Sequence, residues 1–305
     1  MALNKYKQRL TAKERATIID TLCYIKTMYI LFDIGATKMR VAASSNKKSF
    51  DKNSVKIVPT PDNFAEGIGV FQKLALELAG HRKIKAAAGG IAGSLNRKSG
   101  MLHRAPNMPD WNNRPIYKTF LKILGTKNIY LENDTAIVGL GEAVCGAGKG
   151  KPIVAYITAS TGVNGARIVD GKIDQSAMGF EIGHQIIDVD LANQMHTLEY
   201  FVGAASLKKR YGMPAEDIRN PDALDEATKR FAIGIHNTIL HWSPHVVVLG
   251  GGTIRSGSIS VASVEKIVRE ILTIFPKSPS IKKASLGDLG GIYGALVFLW
   301  QELGE

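Results

Sequence analysis

The stretch Tyr29 to Ser44, YILFDIGATKMRVAAS, carries the first chemistry legible in this chain. Tyr29 to Phe32 is apolar and β-prone and predicts a buried strand, and Met39 to Ala43 predicts a second. Between them stand Asp33, Gly35, Thr37 and Lys38: a carboxylate, bare backbone, a hydroxyl and an ammonium at one hairpin tip. That set suits a polyphosphate and its divalent metal. Asp33 can hold metal-bound water, while N–H groups, Thr37 and Lys38 take phosphate oxygens. The same residue types also make an ordinary β-turn, so the hairpin alone leaves both readings open. Glu181 and His184, with Gly183 between them, could face one ligand. A carboxylate and an imidazole serve neighbouring hydroxyls, which donate and accept; standing alone, the pair reads equally as a surface Glu and a structural His.

These groups must be positioned by alternating strands and helices. Lys56 to Val58 predicts a strand, and a helix opens at Pro61-Asp62 with Phe64, Ile68, Phe71, Ala75 and Leu78 on one face. Ile84 to Ala88 predicts a buried strand running into Gly89, Gly90 and Gly93. A Pro- and Asn-rich loop, His103 to Pro115, leads to a helix at Ile116 to Leu124. Asn128 to Leu131 predicts a strand with Glu132-Asn133-Asp134 at its carboxyl end, then a helix from Thr135 to Val144 and a hinge at Gly146 to Gly150. Asp134 thus sits where a side chain can project into a cleft, and also where Asn and Asp routinely cap helices. Ile153 to Thr158, the turn Ser160 to Gly165 and Ala166 to Val169 form a strand–turn–strand again, an echo of the first hairpin left by a duplicated domain. Helices are predicted over Ala223 to Trp242 and Ser263 to Phe275, the latter with Val264, Ile267, Val268 and Ile271 inward. Between them His245 to Leu249 is a buried strand ending in Gly250-Gly251-Gly252, and a last helix runs from Gly291 to Glu302. Strands alternating with helices predict an α/β architecture.

The chain has 305 residues, enough for two domains sharing a cleft, and its 45% hydrophobic and 22% charged shares are those of a globular protein. A net charge of +12 favours polyanionic partners, although no RNA-binding or zinc-finger signature accompanies the scattered basic residues. Cys23 and Cys145 form neither a disulfide framework nor a thiolate metal site. No apolar run approaches the ~20 residues that span a bilayer. A cytoplasmic protein is expected. Residues 1–28 are read as a helical extension, with a capping box at Thr11-Ala-Lys-Glu14 and a helix from Lys13 to Tyr24.

Taken together, DIGATK (Asp33 to Lys38), END (Glu132 to Asp134), STGVNG (Ser160 to Gly165), EIGH (Glu181 to His184), TLE (Thr197 to Glu199) and VVVLGGG (Val246 to Gly252) resemble, in order and spacing, the ROK sugar kinases. The match runs from about Tyr29 to the C-terminus. The resemblance implies the duplicated, ribonuclease H-like fold of the actin-like ATPases, two α/β domains around a cleft. The expected division is a small domain of residues 29–134 plus the C-terminal helix 291–305, and a large domain of residues 135–290. It also implies ATP and Mg²⁺ as cofactors, a hexose or N-acetylhexosamine as acceptor, and a homodimer. Asp134 becomes the general base, with Asn133 on a sugar hydroxyl beside it. Asn107, in APNMPDW, matches the family's APNLxGW loop, and with Glu181, His184 and Glu199 is expected to bind sugar. Asp33 takes the metal through water. Gly35, Thr37, Lys38, Thr161 and Gly162 take phosphates, and Gly251 and Gly252 approach the nucleotide.

Three departures stand out. The family's zinc segment, CxCGxxGCxE, corresponds to DLANQMHTLE (Asp190 to Glu199), which keeps no thiolate. Asp190, His196 and His184 make a poor tetrahedral set, so no zinc site is expected and packing must hold Glu199 and His184. The GTGxGGG phosphate turn is reduced to Ser160-Thr161-Gly162-Val163-Asn164-Gly165-Ala166, and Phe180 replaces the glycine usual before EIGH. Alternatives are a sugar-sensing repressor, for which about 28 N-terminal residues are too few to supply a helix-turn-helix domain, a sugar-binding protein without activity, and a kinase that uses inorganic polyphosphate.

Overall fold

The structure is a computed structural model that describes residues 11, 27–80, 82–176, 179–189 and 194–304. The helix expected over Lys13 to Tyr24 lies outside the described residues.

The first sheet contains β1 (Thr27–Ile34), β2 (Lys38–Ser44), β3 (Lys56–Pro59), β4 (Lys83–Ile91) and β8 (Ile129–Asn133), in the order β3-β2-β1-β4-β8. The second contains β9 (Ile153–Ala159), β10 (Val163–Val169), β11 (Lys172–Ile173), β14 (Val246–Gly250) and β15 (Ser280–Lys283), in the order β11-β10-β9-β14-β15. Each is an antiparallel three-strand meander followed by two parallel strands. The two sheets are one topology used twice, which is the duplicated actin-like architecture. Two small ladders complete the set: β5 (Ser94–Asn96), β6 (Met101–Arg104) and β7 (Arg114–Pro115), and β12 (Ile186–Val189) with β13 (Met195–Thr197).

Nine α-helices fall within the described residues: α1 (Phe64–Ala79), α2 (Ile116–Leu124), α3 (Asp134–Val144), α4 (Leu198–Val202), α5 (Ala204–Tyr211), α6 (Pro221–Trp242), α7 (Gly252–Arg255), α8 (Val261–Ile271) and α9 (Gly290–Leu303). The helix predicted from Pro61-Asp62 starts instead at Phe64, because the Asn63 side chain accepts from Glu66 N–H and sets the cap there. The helix predicted over Ser263 to Phe275 is shorter at its C-terminal end and begins at the Ser260 cap. Its Val264 and Val268 are buried, but Ile271, in its last turn, is 39% exposed rather than inward. Ile271 is the helix's final residue, beyond its last buried side chain, Val268.

β1 is apolar on both faces because both faces are covered. On one side Phe32 meets Phe71 of α1 and Phe120 of α2 edge-on, with ring centroids 5.3 Å apart in each pair, and the two helix rings stack at 4.4 Å. On the other, Tyr29 and Leu31 join Ile137 of α3 and Ile292, Leu296 and Leu299 of α9. The second sheet is likewise covered outside by Phe231, Ile235 and Ile239 of α6 and Val264 and Val268 of α8, and inside by Ala136, Leu140 and Ala143 of α3. Helices α3 and α9 therefore lie between the two sheets. They cross backbone to backbone: a methyl on Gly141 would stand 2.8 Å from Gly294 N, and one on Gly294 would overlap the Ile137 carbonyl. Glu142, 1% exposed, fastens the end of α3 to the chain before α9, its carboxylate accepting from Ala147, Ser285 and Leu286 N–H and from Ser285 Oγ. Among the described residues no helix is long and apolar enough to cross a membrane.

Not every glycine is forced. Gly69 is exposed in α1, with no other atom near where its Cβ would stand. Gly69→Ala is expected to stabilise the fold by about 1 kcal/mol through helix propensity. A lower midpoint in urea would show that α1 is less regular than described.

Candidate active site

The duplicated topology brings the two hairpin turns face to face. Thr37 Oγ1, from the β1–β2 turn, lies 3.5 Å from Thr161 Oγ1, from the β9–β10 turn. Thr37 and Lys38 are exposed at the first tip, and Gly35 closes it through its N–H to the Lys38 carbonyl. The second tip is closed by Ser160 N–H donating to the Gly162 carbonyl. A Cβ on Gly162 would overlap the Glu199 carboxylate, whose Oε2 accepts from Val163 N–H at 2.8 Å. The glycine in this turn therefore admits a side chain from α4. Gly251, at the end of β14, has φ +94°, and a Cβ there would overlap the Ala159 carbonyl. Gly251 and Gly252 thus stand next to the β9 end, with open space around Gly252.

Asp134 is the first residue of α3, where Gly90 of β4 lets it approach: a methyl on Gly90 would stand 2.6 Å from Asp134 Cα. The cap is its neighbour. Asn133 Oδ1 accepts from Ala136 N–H at 3.2 Å and Asn133 Nδ2 donates to the Gly93 carbonyl at 3.1 Å. Asn133 is thereby engaged within the protein at both ends of its amide, while Asp134 Oδ1 accepts only from Thr135. Asp134 is partly buried, and its carboxyl is pushed up to about 7. Burial is the main cause, the Asp33 charge adds to it, the Thr135 hydrogen bonds oppose it and Glu181 contributes a smaller rise.

Asp134 lies within electrostatic reach of Asp33 and Glu181, and Glu181 within reach of His184 and Glu199. Although Glu181 keeps solvent access, partial desolvation by the surrounding protein raises its carboxyl, His184 opposes that rise and Glu199 reinforces it. Glu181 and His184 lie on a short turn whose Gly183 leaves no room for a Cβ against the Val163 carbonyl. Their side chains are exposed and make no hydrogen bond to another described residue. Asn107 is likewise exposed and uncommitted, on a turn closed by Met108 N–H to the Ala105 carbonyl. That turn seats on Gly93, the residue Asn133 holds, with Gly93 Cβ space only 3.0 Å from Ala105.

Asp33 is 5% exposed and sits beside Gly291, where any side chain would overlap its carboxylate. Burial raises its carboxyl, against the opposing pull of Arg40, whose Nη1 lies 3.1 Å from Asp33 Oδ2. One carboxylate oxygen is thus taken by a guanidinium and the other has no described partner, a donor set that fits a metal-bound water better than a directly ligated ion. Around Glu199, His196 stacks on Tyr200 at 4.4 Å and Arg210 lies over Tyr200 at 4.8 Å, so aromatic and cation–π contacts support α4. Asp190 lies outside the described residues, and among those described no cluster of three or more His, Cys, Asp or Glu could hold a metal.

Sequence reasoning passed over Arg40, Arg97, Asp288 and Arg255. Arg40 was within reach, since a hairpin that pairs Ile34 with Met39 pairs Asp33 with Arg40 directly. Arg97 had no local signal. Its Nε and Nη2 hold the buried Glu132 carboxylate at 2.6 and 3.0 Å, and its Nη1 reaches the Ser176 carbonyl across the cleft.

Residues 29–302 match the family described as ROK family. The glucokinase of Thermotoga maritima is 25% identical over 92% of this chain and 99% of its own length. The N-acetyl-D-glucosamine kinase of Histophilus somni is 28% identical over 88% of this chain and 97% of its own. The fold is shared with the ROK family glucokinase of Streptomyces griseus, solved in complex with glucose and AMPPNP, at a TM-score of 0.73 and 22% identity over 88% of this chain and 98% of that one. The chain belongs to the ROK family.

Proposed function

We propose that this protein is a sugar kinase that transfers the terminal phosphoryl group of ATP to a hydroxyl of a hexose or N-acetylhexosamine. The observation that carries the reading is one arrangement: two facing hairpin tips rich in phosphate-binding groups, and beside them a carboxylate whose proton leaves near neutrality. A general base works best when its pKa lies near the working pH. Asp134 accepts the hydroxyl proton as the phosphoryl group arrives in line. Asn107, Asn133, Glu181, His184 and Glu199 hold the remaining hydroxyls, Asn133 with the amide N–H and the Oδ1 lone pair left over from its bonds to Gly93 and Ala136. Gly35, Thr37, Lys38, Thr161 and Gly162 hold the donor phosphates. Gly251 and Gly252 leave room for its nucleoside. Asp33 would hold a Mg²⁺ ion through a bound water, and that ion would neutralise charge on the donor phosphates. Because Thr37 and Thr161 touch, the two tips must part to admit a donor and close again around it. Positioning and charge neutralisation then supply most of the catalysis. A phosphotransferase of this kind, with Cys145 free and exposed, suits the reducing cytoplasm.

ADP release measured over a panel of glucose, mannose, fructose, N-acetylglucosamine and N-acetylmannosamine tests the reading. One sugar is expected to turn over with ATP at 1 s⁻¹ or more, as an order of magnitude. No turnover with any sugar, with ATP or with inorganic polyphosphate as donor, would leave a sugar-binding role instead.

A further inference from the structure

Two guanidiniums from two lobes converge on a single carboxylate. Asp288 stands in the turn Gly287–Leu289, just before α9, and its Oδ1 accepts from Arg255 Nη1 at 2.7 Å and from Arg40 Nη2 at 3.2 Å. Lys38, at the first hairpin tip, adds a third positive charge that acts on the same group. Lys38 and Arg40 come from β2 of the first sheet, and Arg255 comes from α7, immediately after the Gly250–Gly252 turn of the second. Arg40 is the fixed member. Its side chain is 15% exposed, it is anchored on Asp33, and its buried Nε has no hydrogen-bond partner. Asp288 and Arg255 are the loose members, at 39% and 54% exposed.

A carboxylate clasped by two guanidiniums has the charge and donor geometry of a bound phosphate group. An ion pair as exposed as Asp288–Arg255 contributes little and opens readily, whereas a polyanion would satisfy all three cations at once. The site also lies between the Asp33–Lys38 turn and the glycine turn after β14. We propose that Lys38, Arg40 and Arg255 form a subsite for the phosphate tail of the donor, and that Asp288 fills it as an internal counter-ion when no donor is bound. On arrival the tail displaces the Asp288 carboxylate from Arg255 and Arg40, while Arg40 keeps its hold on Asp33. The counter-ion prevents three like charges from repelling one another in the free protein, and it lowers affinity for every anion too small to span all three.

The inference rests on the cleft taking a phosphoryl donor, and its test avoids turnover. Calorimetry with inorganic tripolyphosphate, without sugar or metal, is read for the wild type, Asp288→Asn, Arg255→Met and Arg40→Lys. Tripolyphosphate is expected to bind about tenfold more tightly to Asp288→Asn and about tenfold more weakly to Arg255→Met, with Arg40→Lys between wild type and Arg255→Met. These ratios should shrink as salt is raised. A purely structural ion-pair chain predicts the opposite for Asp288→Asn: a lower melting temperature and no gain in affinity. Unchanged or weaker binding by Asp288→Asn, unchanged binding by Arg255→Met, or no binding by the wild type would overturn the proposal. ATP run in parallel separates a tail subsite, which gives the same ratios as tripolyphosphate, from contacts to the nucleoside, which do not. If the ratios hold while no sugar is phosphorylated, the subsite stands and the kinase reading fails.

Discussion

Replacing Asp134 with asparagine is expected to lower kcat by about 10²–10⁴-fold while leaving sugar affinity within about threefold, because asparagine keeps the shape and loses only the basic oxygen. Stopped-flow or coupled turnover together with sugar binding by calorimetry would check both halves. Near-normal kcat in this variant would refute Asp134 as the base. The wild type should also show kcat/KM for the sugar rising with pH through about 7 and levelling off above it, since only the ionised carboxylate accepts a proton. The same carboxyl has a consequence for stability. Its pKa is about 7 in the folded protein against an ordinary 3.8, so the folded state holds a proton that the unfolded chain gives up first. Its contribution is fully favourable below pH 3.8 and is lost as pH rises to about 7. The cost then persists in full above that window. Asp134→Asn should therefore be more stable than the wild type at pH 8, by on the order of 1–3 kcal/mol given that the residue is only partly buried, and nearly equal to it at pH 4. Stabilisation at high pH accompanied by loss of turnover is the signature of a strained functional carboxylate rather than a structural one.

The largest structural effect is expected from Gly294→Ala. A single methyl there meets the Ile137 carbonyl, and it meets backbone rather than a side chain that could turn away. Helices α3 and α9 would have to separate, opening the contacts that Ile137, Leu140, Leu296 and Leu299 make with the two sheets. Overpacking of this kind costs about 3 kcal/mol or more, a fall in Tm of roughly 5 °C or more at this size. The site should suffer before the fold melts, because α3 begins at Asp134 and α9 carries Gly291 against the Asp33 carboxylate. A Tm within 2 °C of the wild type, as an order of magnitude, would mean that the crossing is looser than the backbone contact implies.

Sequence alone determined what depends on neighbours along the chain. The two strand–turn–strand units are legible because a buried strand must be apolar throughout and a tight turn must be polar or glycine, and both conditions are local. Helix α2 runs from Ile116 to Leu124, the span read from the sequence, and the ordered motifs from Asp33 to Gly252 locate the chain's family. Tertiary structure decided what depends on partners far along the chain. Asn133 and Asp134 look interchangeable as caps in sequence, yet it is Asn133 that caps the helix through Ala136 N–H and bonds the Gly93 carbonyl, while the Asp134 carboxylate accepts only from Thr135. Asp134 has a neutral-range pKa only because burial and the charges of Asp33 and Glu181 reach it from other strands and loops. The Asp33–Arg40 pair follows from hairpin register, but its extension to Asp288 and Arg255 joins segments that no spacing rule connects. Periodicity and turn chemistry act over a few residues, whereas desolvation and Coulomb forces act through space, so the first can be read from order and the second only from position.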